Sequence, residues 1–400
     1  MKLVRPRGPR FVVVAGEASG DVIGGRLLAA LRDLTGGRAR FAGVGGERMM
    51  AQGLIPLFPM ADLSVMGLGA VVERLPLLWR RLHQAAADTA TLAPNAVITI
   101  DSPGFNFRLA RRVRAQGVPL IHYVAPSVWA WRPGRAREIA RFLDHLLLLF
   151  PFEKPYFDAV GLAATYVGHP VIEEPIGAAD GAGFRRAIGL GERQALIAAL
   201  PGSRPDEVAR LLPVFGAALG RLARRHPGLA AVVPTVPPVA GQVAAGVAQW
   251  PVTGRVVTTA DERYAAFAAS HAALAASGTV TLELAAAGVP MVVAYRACAV
   301  TAFVARRLVT IPWVSPVNIL AKEIVVPELL QGRCTPERLA AALGLLIDDE
   351  AARARQRLGL ERVVAMLNDV AQPPSRTAAR AVLDVLAARR LSASAGRAGA

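Results

Sequence analysis

Short apolar, β-branched runs alternate along this chain with longer segments whose apolar residues recur every three or four positions. The runs at 11–15, 40–44, 96–100, 120–123, 145–150 and 165–167 read as strands, and 22–32, 107–116 and 136–143 between them carry helical periodicity. That rhythm predicts a doubly wound α/β domain with a mostly parallel sheet. The stretch 170–181 is rich in Pro and Gly and reads as a linker. The alternation then restarts, with strands at 195–200, 230–234, 255–258, 271–276 and 290–295 and helices at 207–225 and 279–287. The expected fold class is α/β, with two Rossmann-like domains facing a cleft. They are expected at 1–172 and 173–345, followed by helices over 346–391 that could return to the first domain and a flexible tail at 392–400. No repeat at solenoid periods is visible.

Composition narrows this picture. A length of 400 residues suits two or three domains. With 53% apolar and 19% charged residues, disorder is excluded as the dominant state. The charge-free stretch 229–254 is interrupted by Pro234, Pro237, Pro238 and Pro251, and 264–282 runs into Glu283, so neither reads as a membrane span. The apolar run after Arg10 is broken at Glu17 and is too short for a signal peptide. A cytoplasmic protein, soluble or peripheral, is expected. Cys298 and Cys334 alone exclude a disulfide framework and a Cys-rich zinc site. The net charge of +16 comes almost wholly from Arg, since Lys occurs only at 2, 154 and 322. These charges are scattered and lack an aromatic RNA-binding signature, so phosphorylated substrates or an anionic membrane are expected as partners, and nucleic acid is not.

Open parallel sheets bind ligands beyond the carboxyl ends of their strands, so the residues after each strand carry the chemistry. Gly16-Glu17-Ala18-Ser19-Gly20-Asp21 follows the first strand. It is not a dinucleotide fingerprint. Its carboxylates suit sugar hydroxyls, the alternative being a strand–helix turn capped by Asp21. Asp101, at a strand tip before Ser102-Pro103-Gly104-Phe105-Asn106, is either a general base for a hydroxyl nucleophile or a helix cap, and Asn106, five residues on, is read as orienting it or the sugar. In Gly202-Ser203-Arg204, the Arg offers a fork to a phosphate, or simply solvates a surface turn. Ser277-Gly278-Thr279 makes a strand–helix turn suited to a diphosphate, with Glu283 one helical turn on and suited to ribose hydroxyls. No Asp-x-Asp pair suggests a bridging metal, and none is expected. Trp129 and Trp131 belong to an aromatic group read as sugar-stacking, acyl-binding or ordinary core. His169 reads as a hinge residue. The stretch 63–82, with Val65, Met66, Leu68, Leu78, Trp79, Arg80 and Arg81, fits a helix lying on an anionic membrane or, equally, a buried helix.

Nine strings, in one order, resemble the lipid-A-disaccharide synthase family. They are Gly-Glu-Ala-Ser-Gly-Asp (16–21), Gly-Val-Gly-Gly (43–46), Ser-Val-Met-Gly (64–67), Asp-Ser-Pro-Gly-Phe-Asn (101–106), Pro-Ser-Val-Trp-Ala-Trp (126–131), Val-Gly-His-Pro (167–170), Leu-Pro-Gly-Ser-Arg (200–204), Ala-Ser-Gly-Thr (276–279) and Asn-Ile-Leu (318–320). The resemblance implies a GT-B fold and an inverting, metal-independent transfer without a cofactor. UDP-2,3-diacylglucosamine would be the donor, 2,3-diacylglucosamine 1-phosphate the acceptor, and the product a β(1→6) disaccharide 1-phosphate. It implies Asp101 as base, acceptor contacts at Glu17, Ser19, Asp21, Asn106 and Trp129, and a UDP site at Gly202, Ser203, Arg204, Ser277, Gly278, Thr279 and Glu283. Asn318, Glu328 and Gln331 are implied as further donor contacts. It implies an acceptor and membrane-side first domain, a UDP-sugar-binding second domain and a place on the inner face of the inner membrane, with a homodimer left open. The family usually carries a second acid where this chain has Gly104, so Asp101 acts alone or with Glu17. The alternatives are another GT-B transferase with a lipid-linked acceptor, and a non-catalytic membrane-surface binder.

Overall fold

The strand Arg10–Ala15 shows how the first layer arises. Phe11, Val13 and Ala15 face one apolar cluster, and Val12 and Val14 face another on the opposite side. A strand buried on both faces reads as an unbroken apolar run, which is the signature of a parallel sheet covered by helices on both sides. The computed structural model describes residues 8–63, 68–130, 134–191, 194–298 and 311–398. The chain divides into two units, 1–170 with 370–400, and 171–369.

In the first unit the described strands are β1 (Arg10–Ala15), β2 (Arg40–Val44), β3 (Leu54–Pro56), β4 (Ala96–Ile100), β5 (Leu120–Tyr123), β6 (His145–Leu148) and β7 (Ala164–Tyr166). All are parallel, in the order β3-β2-β1-β4-β5-β6-β7. The strand order reverses between β1 and β4, where Ala15 sits beside Ile100. Helix Ala18–Leu34 and helix Pro374–Ala398 cover one face; helices Leu68–Leu92, Pro103–Val113 and Arg135–Ala140 cover the other.

In the second unit β8 (Leu196–Leu200), β9 (Ala230–Pro234), β10 (Thr253–Val257), β11 (Ala272–Ala276), β12 (Met291–Tyr295) and β13 (Glu328–Leu330) follow the order β10-β9-β8-β11-β12-β13, again all parallel. Here the order reverses between β8 and β11. The largest apolar cluster lies under helices Pro205–Ala223 and Pro336–Asp348. Among the described residues no helix is long and apolar enough to cross a membrane.

Several expectations need correction. The strands β3 and β13, each of three residues, were not expected. Helices Ala240–Val247 and Ala260–Ala269 were also missed, because runs of Ala and Gly blur the apolar stripe. The linker is two 3₁₀ turns, Pro170–Glu173 and Ile176–Ala178, followed by helix Gly181–Ala187, whose first turn Asp180 caps. The segment 346–391 does not act as one set: helix Glu350–Asn368 lies in the second unit and helix Pro374–Ala398 in the first. That last helix continues into the 392–400 segment expected to be a tail.

Candidate active site

The first unit's switch point brings together two of the expected loops. Gly16 follows β1, and a Cβ there would stand 2.6 Å from the Ser102 hydroxyl oxygen in the loop after β4, so only Gly allows the loops to approach this closely. Asp101 and Ser102 both have left-handed backbone, with φ of 49° and 44°. Val124, at the end of the neighbouring β5, has φ 75°. Each such residue costs roughly 1–3 kcal/mol and persists only where its surroundings enforce it. Asp101 is half-buried, and its backbone N–H donates to the Tyr123 carbonyl at 2.9 Å. Glu17 is half-buried and Ser19 exposed, on the turn beside it.

Two residues expected as sugar contacts are buried and bond the main chain instead. The buried Asp21 carboxylate accepts the backbone N–H groups of Gly46, Arg48 and Met49 at 2.7–3.0 Å, bracing the first turn of helix Glu47–Ala51. Asn106 is fully buried, and its amide nitrogen donates to backbone carbonyls of β1 and β4. Both side chains are engaged with the protein's own main chain. Gly104 is exposed at the start of helix Pro103–Val113.

Trp129 lies in an aromatic group. Its indole N–H donates to Glu153 at 3.3 Å, and its ring meets Phe152 edge-on. Phe150 is stacked between Phe152 and His169. Glu153 also accepts the N–H groups of Leu149 and Phe150. Burial nevertheless pushes its carboxyl up to about 7. Burial likewise pulls His169 down to about 4, and its ring stacks on Phe150. Trp131 lies outside the described residues.

The second unit repeats the switch-point pattern. Leu200 of β8 pairs with Ala275 of β11, so Gly202-Ser203-Arg204 and Ser277-Gly278-Thr279 are neighbouring loops. Gly202 has φ 114°, and a Cβ there would meet the Glu207 carboxylate at 2.7 Å. Arg204 is well exposed, and Glu207 of the next helical turn lies 3.4 Å from its guanidinium. This orienting carboxylate was missed, although its spacing three residues after Arg204 was visible. Ser203 and Thr279 are exposed, and open space faces the Gly278 Cα.

Other expected donor contacts hold the protein to itself. The Ser277 hydroxyl donates to the Val314 carbonyl at 2.7 Å. Asn318 is buried; its oxygen accepts from the N–H groups of Val325 and Val326 and its nitrogen donates to Val326 and Glu328. Glu328 accepts from Val314, Ser315 and Asn318. Asn318 and Glu328 therefore brace the segment beside the Ser277 loop rather than reach outward. Gln331 has φ 51°, and its side chain accepts the Ala297 N–H at 3.3 Å. Glu283, read as suited to ribose hydroxyls, has a protein partner: Arg263 approaches to 3.4 Å and also donates to the Tyr264 hydroxyl. Burial raises the Glu283 carboxyl and the Arg263 charge opposes that rise. Arg263 lies twenty residues upstream on another helix, so no local spacing could have revealed it.

Val65 and Met66 lie outside the described residues; Leu68 opens helix Leu68–Leu92. Trp79 is 63% exposed and Leu75 52% exposed, four residues apart on one helix face. Arg80 is exposed and Leu78 half-buried. Arg81 is corrected: it turns inward to Asp62 at 2.7 Å and over the Phe58 ring. Among the described residues no His, Cys, Asp and Glu side chains gather as a metal set.

Two doubly wound units of parallel strands, each presenting polar loops at its switch point, define the GT-B class of glycosyltransferase fold. Solved structures agree on the fold. The UDP-GlcNAc 2-epimerase of Neisseria meningitidis, bound to UDP-GlcNAc, is 11% identical with a TM-score of 0.63, over 94% of this chain and 99% of that one. The glycotransferase of kitacinnamycin is 17% identical with a TM-score of 0.63, over 95% and 100%. The family model of lipid-A-disaccharide synthetase matches residues 11–382. The lipid-A-disaccharide synthase of Rhodospirillum centenum is 53% identical over 94% of both chains. That of Paramagnetospirillum magneticum is 50% identical over 94% of this chain and 97% of its own. The chain belongs to the lipid-A-disaccharide synthase family, a family of glycosyltransferases.

Proposed function

We propose that the protein transfers 2,3-diacylglucosamine from its UDP derivative to the 6-hydroxyl of 2,3-diacylglucosamine 1-phosphate. The acceptor oxygen attacks the anomeric carbon from the face opposite UDP, the bond to the diphosphate breaks, and UDP leaves with the electron pair. The configuration inverts and a β(1→6) linkage forms. Asp101 takes the acceptor's proton. The observation that carries this reading is a half-buried carboxylate held in left-handed backbone where the strand order of the first sheet reverses. Glu17, on the adjoining turn, is the second carboxylate of this switch point and contacts the acceptor sugar together with Ser19, while Trp129 lines the same end of the sheet.

The second unit supplies the UDP site. Arg204 neutralises the leaving diphosphate, and the backbone of Gly202-Ser203 and Ser277-Gly278-Thr279 receives its oxygens. Glu283, with Arg263 behind it, takes the ribose hydroxyls, and Gln331 lies at the next strand end but one. Family membership and the fold shared with a UDP-GlcNAc-bound protein support a UDP-sugar donor. Both substrates are lipids, and the Leu75–Trp79 face with Arg80 rests on the anionic inner surface of the inner membrane.

Asp101→Asn tests this reading in a UDP-release assay with the two glucosamine lipids. It keeps shape and removes basicity, so turnover should fall at least about 10²-fold, within the range contributed by a positioned general base. UDP affinity should be unchanged. Near-normal turnover in Asp101→Asn together with its loss in Glu17→Gln would move the base to Glu17.

A further inference from the structure

We infer that Asn106 is a positioning residue that holds Asp101 in its left-handed conformation and so aims the carboxylate. This rests on Asp101 being the base. The side chain of Asn106 has no exposed surface, and its amide nitrogen lies 2.7 Å from the Asp101 carbonyl, 3.1 Å from that of Ile100 and 3.4 Å from that of Val14. Two protons are thus shared among three acceptors at the ends of β4 and β1, across the switch point. The main chain of Asn106 adds a second tie, its N–H donating to the Ser102 carbonyl at 3.1 Å. Side chain and main chain together grip both ends of the Asp101–Ser102 peptide, where φ is positive at two consecutive residues with side chains.

Neither Asp nor Ser sustains that conformation unaided over two residues, because the left-handed region crowds Cβ against the following carbonyl. If the peptide relaxed to negative φ, the Cα–Cβ bond of Asp101 would swing and its carboxylate would leave the switch point. The orientation of the amide is also determined. Exchanging its nitrogen and oxygen would aim an oxygen at three carbonyl oxygens. The Asn106 oxygen is meanwhile buried without a hydrogen-bond partner, a cost that ordinary packing gives no reason to keep. What this position requires is a short donor, which Asp cannot be and Ala lacks.

The test is a double-mutant cycle on the full-length protein, read as turnover at saturating lipid substrates, donor KM and melting temperature. Asn106→Ala should lower kcat at least about tenfold and leave donor KM within about twofold. In an Asp101→Asn background the same change should cost less than about twofold, because the group being aimed is already disabled. Ser102→Gly should recover a good part of the kcat lost in Asn106→Ala, since Gly adopts positive φ without strain. A fall in kcat that multiplies in full on Asp101→Asn, or no fall at all, overturns the positioning role while leaving the base in place. Normal turnover in Asp101→Asn itself overturns the base and the positioning role together. Should Asn106→Ala not fold, Ser102→Gly/Asn106→Ala carries the cycle. If that variant does not fold either, Asn106 serves folding rather than aim, and the inference falls.

Discussion

At the scale of single residues, burial and hydrogen bonding compete most sharply at Glu153. Three N–H donors favour its charged form, yet burial wins and its carboxyl sits at about 7. The native state therefore holds a proton that the unfolded chain, near 4.5, has released. This term stabilises fully below pH 4.5 and fades as pH rises to 7. His122, pulled down to about 3, and His169, at about 4, act with the opposite sign: their contribution is present above 6.5 and lost as pH falls. Between pH 4.5 and 6.5 the three partly cancel. Glu153→Gln should remove the opposing term and steepen the acid-side loss of stability by ~1.4 kcal/mol per pH unit, one proton's worth. Melts across that window check it, and an unchanged slope would sink the assignment. Arg204 gives a second residue-level expectation. Exposed and oriented by Glu207, it needs no repacking on truncation, so Arg204→Ala should weaken UDP binding by about 1.5–3 kcal/mol while the melting temperature holds. Titration calorimetry measures the first quantity and a thermal scan the second.

At the scale of elements, helix Leu68–Leu92 shows how one segment divides its labour. Leu82, Ala85 and Ala86 pack into the core, whereas Leu75, Trp79 and Arg80 face out. One face of the helix is thus buried, as one alternative expected, and the other is exposed. Changing Leu75 and Trp79 to Ser and Arg80 to Ala should release the protein from anionic vesicles and barely move the melting temperature, since exposed residues are not core. Arg81→Ala should instead lower stability, through loss of the Asp62 pair and of the guanidinium held over the Phe58 ring. Vesicle co-sedimentation alongside thermal scans separates the two effects. Reversed results would place the lipid-facing surface elsewhere. The stripe itself was legible as an apolar helix with an Arg pair. Which Arg turned inward was not, because Asp62 lies nineteen residues away.

At the scale of the whole molecule, the last helix belongs to the first unit. Ala378, Ala379, Val382 and Leu386 complete the core over helix Ala18–Leu34, and Arg376 pairs with Asp33. A carboxylate at Val382 would have no partner there. Val382→Asp should therefore destabilise the first unit by at least about 3 kcal/mol and leave the second nearly untouched. In calorimetry, the transition raised by UDP should stay in place while the other drops. A uniform fall of both would contradict the division.

Local pattern was enough to determine the two doubly wound units, most strand positions and the loops after β1, β4, β8 and β11, because period and turn chemistry are properties of neighbouring residues. It also singled out Asp101 and Arg204, each placed by the strand before it. It could not distinguish a polar side chain that faces a ligand from one that braces the backbone. Asp21, Asn106, Asn318 and Glu328 have the residue types of a binding site, but their hydrogen bonds reach main-chain groups as far as 28, 92, 8 and 14 residues away. The same limit hid Arg263 behind Glu283 and, among the terminal helices expected to return to the first domain, which one does so. Such partners are chosen by which strand ends and helix faces the fold brings together, and a buried donor or acceptor must be satisfied wherever that places it. Tertiary structure alone decides that.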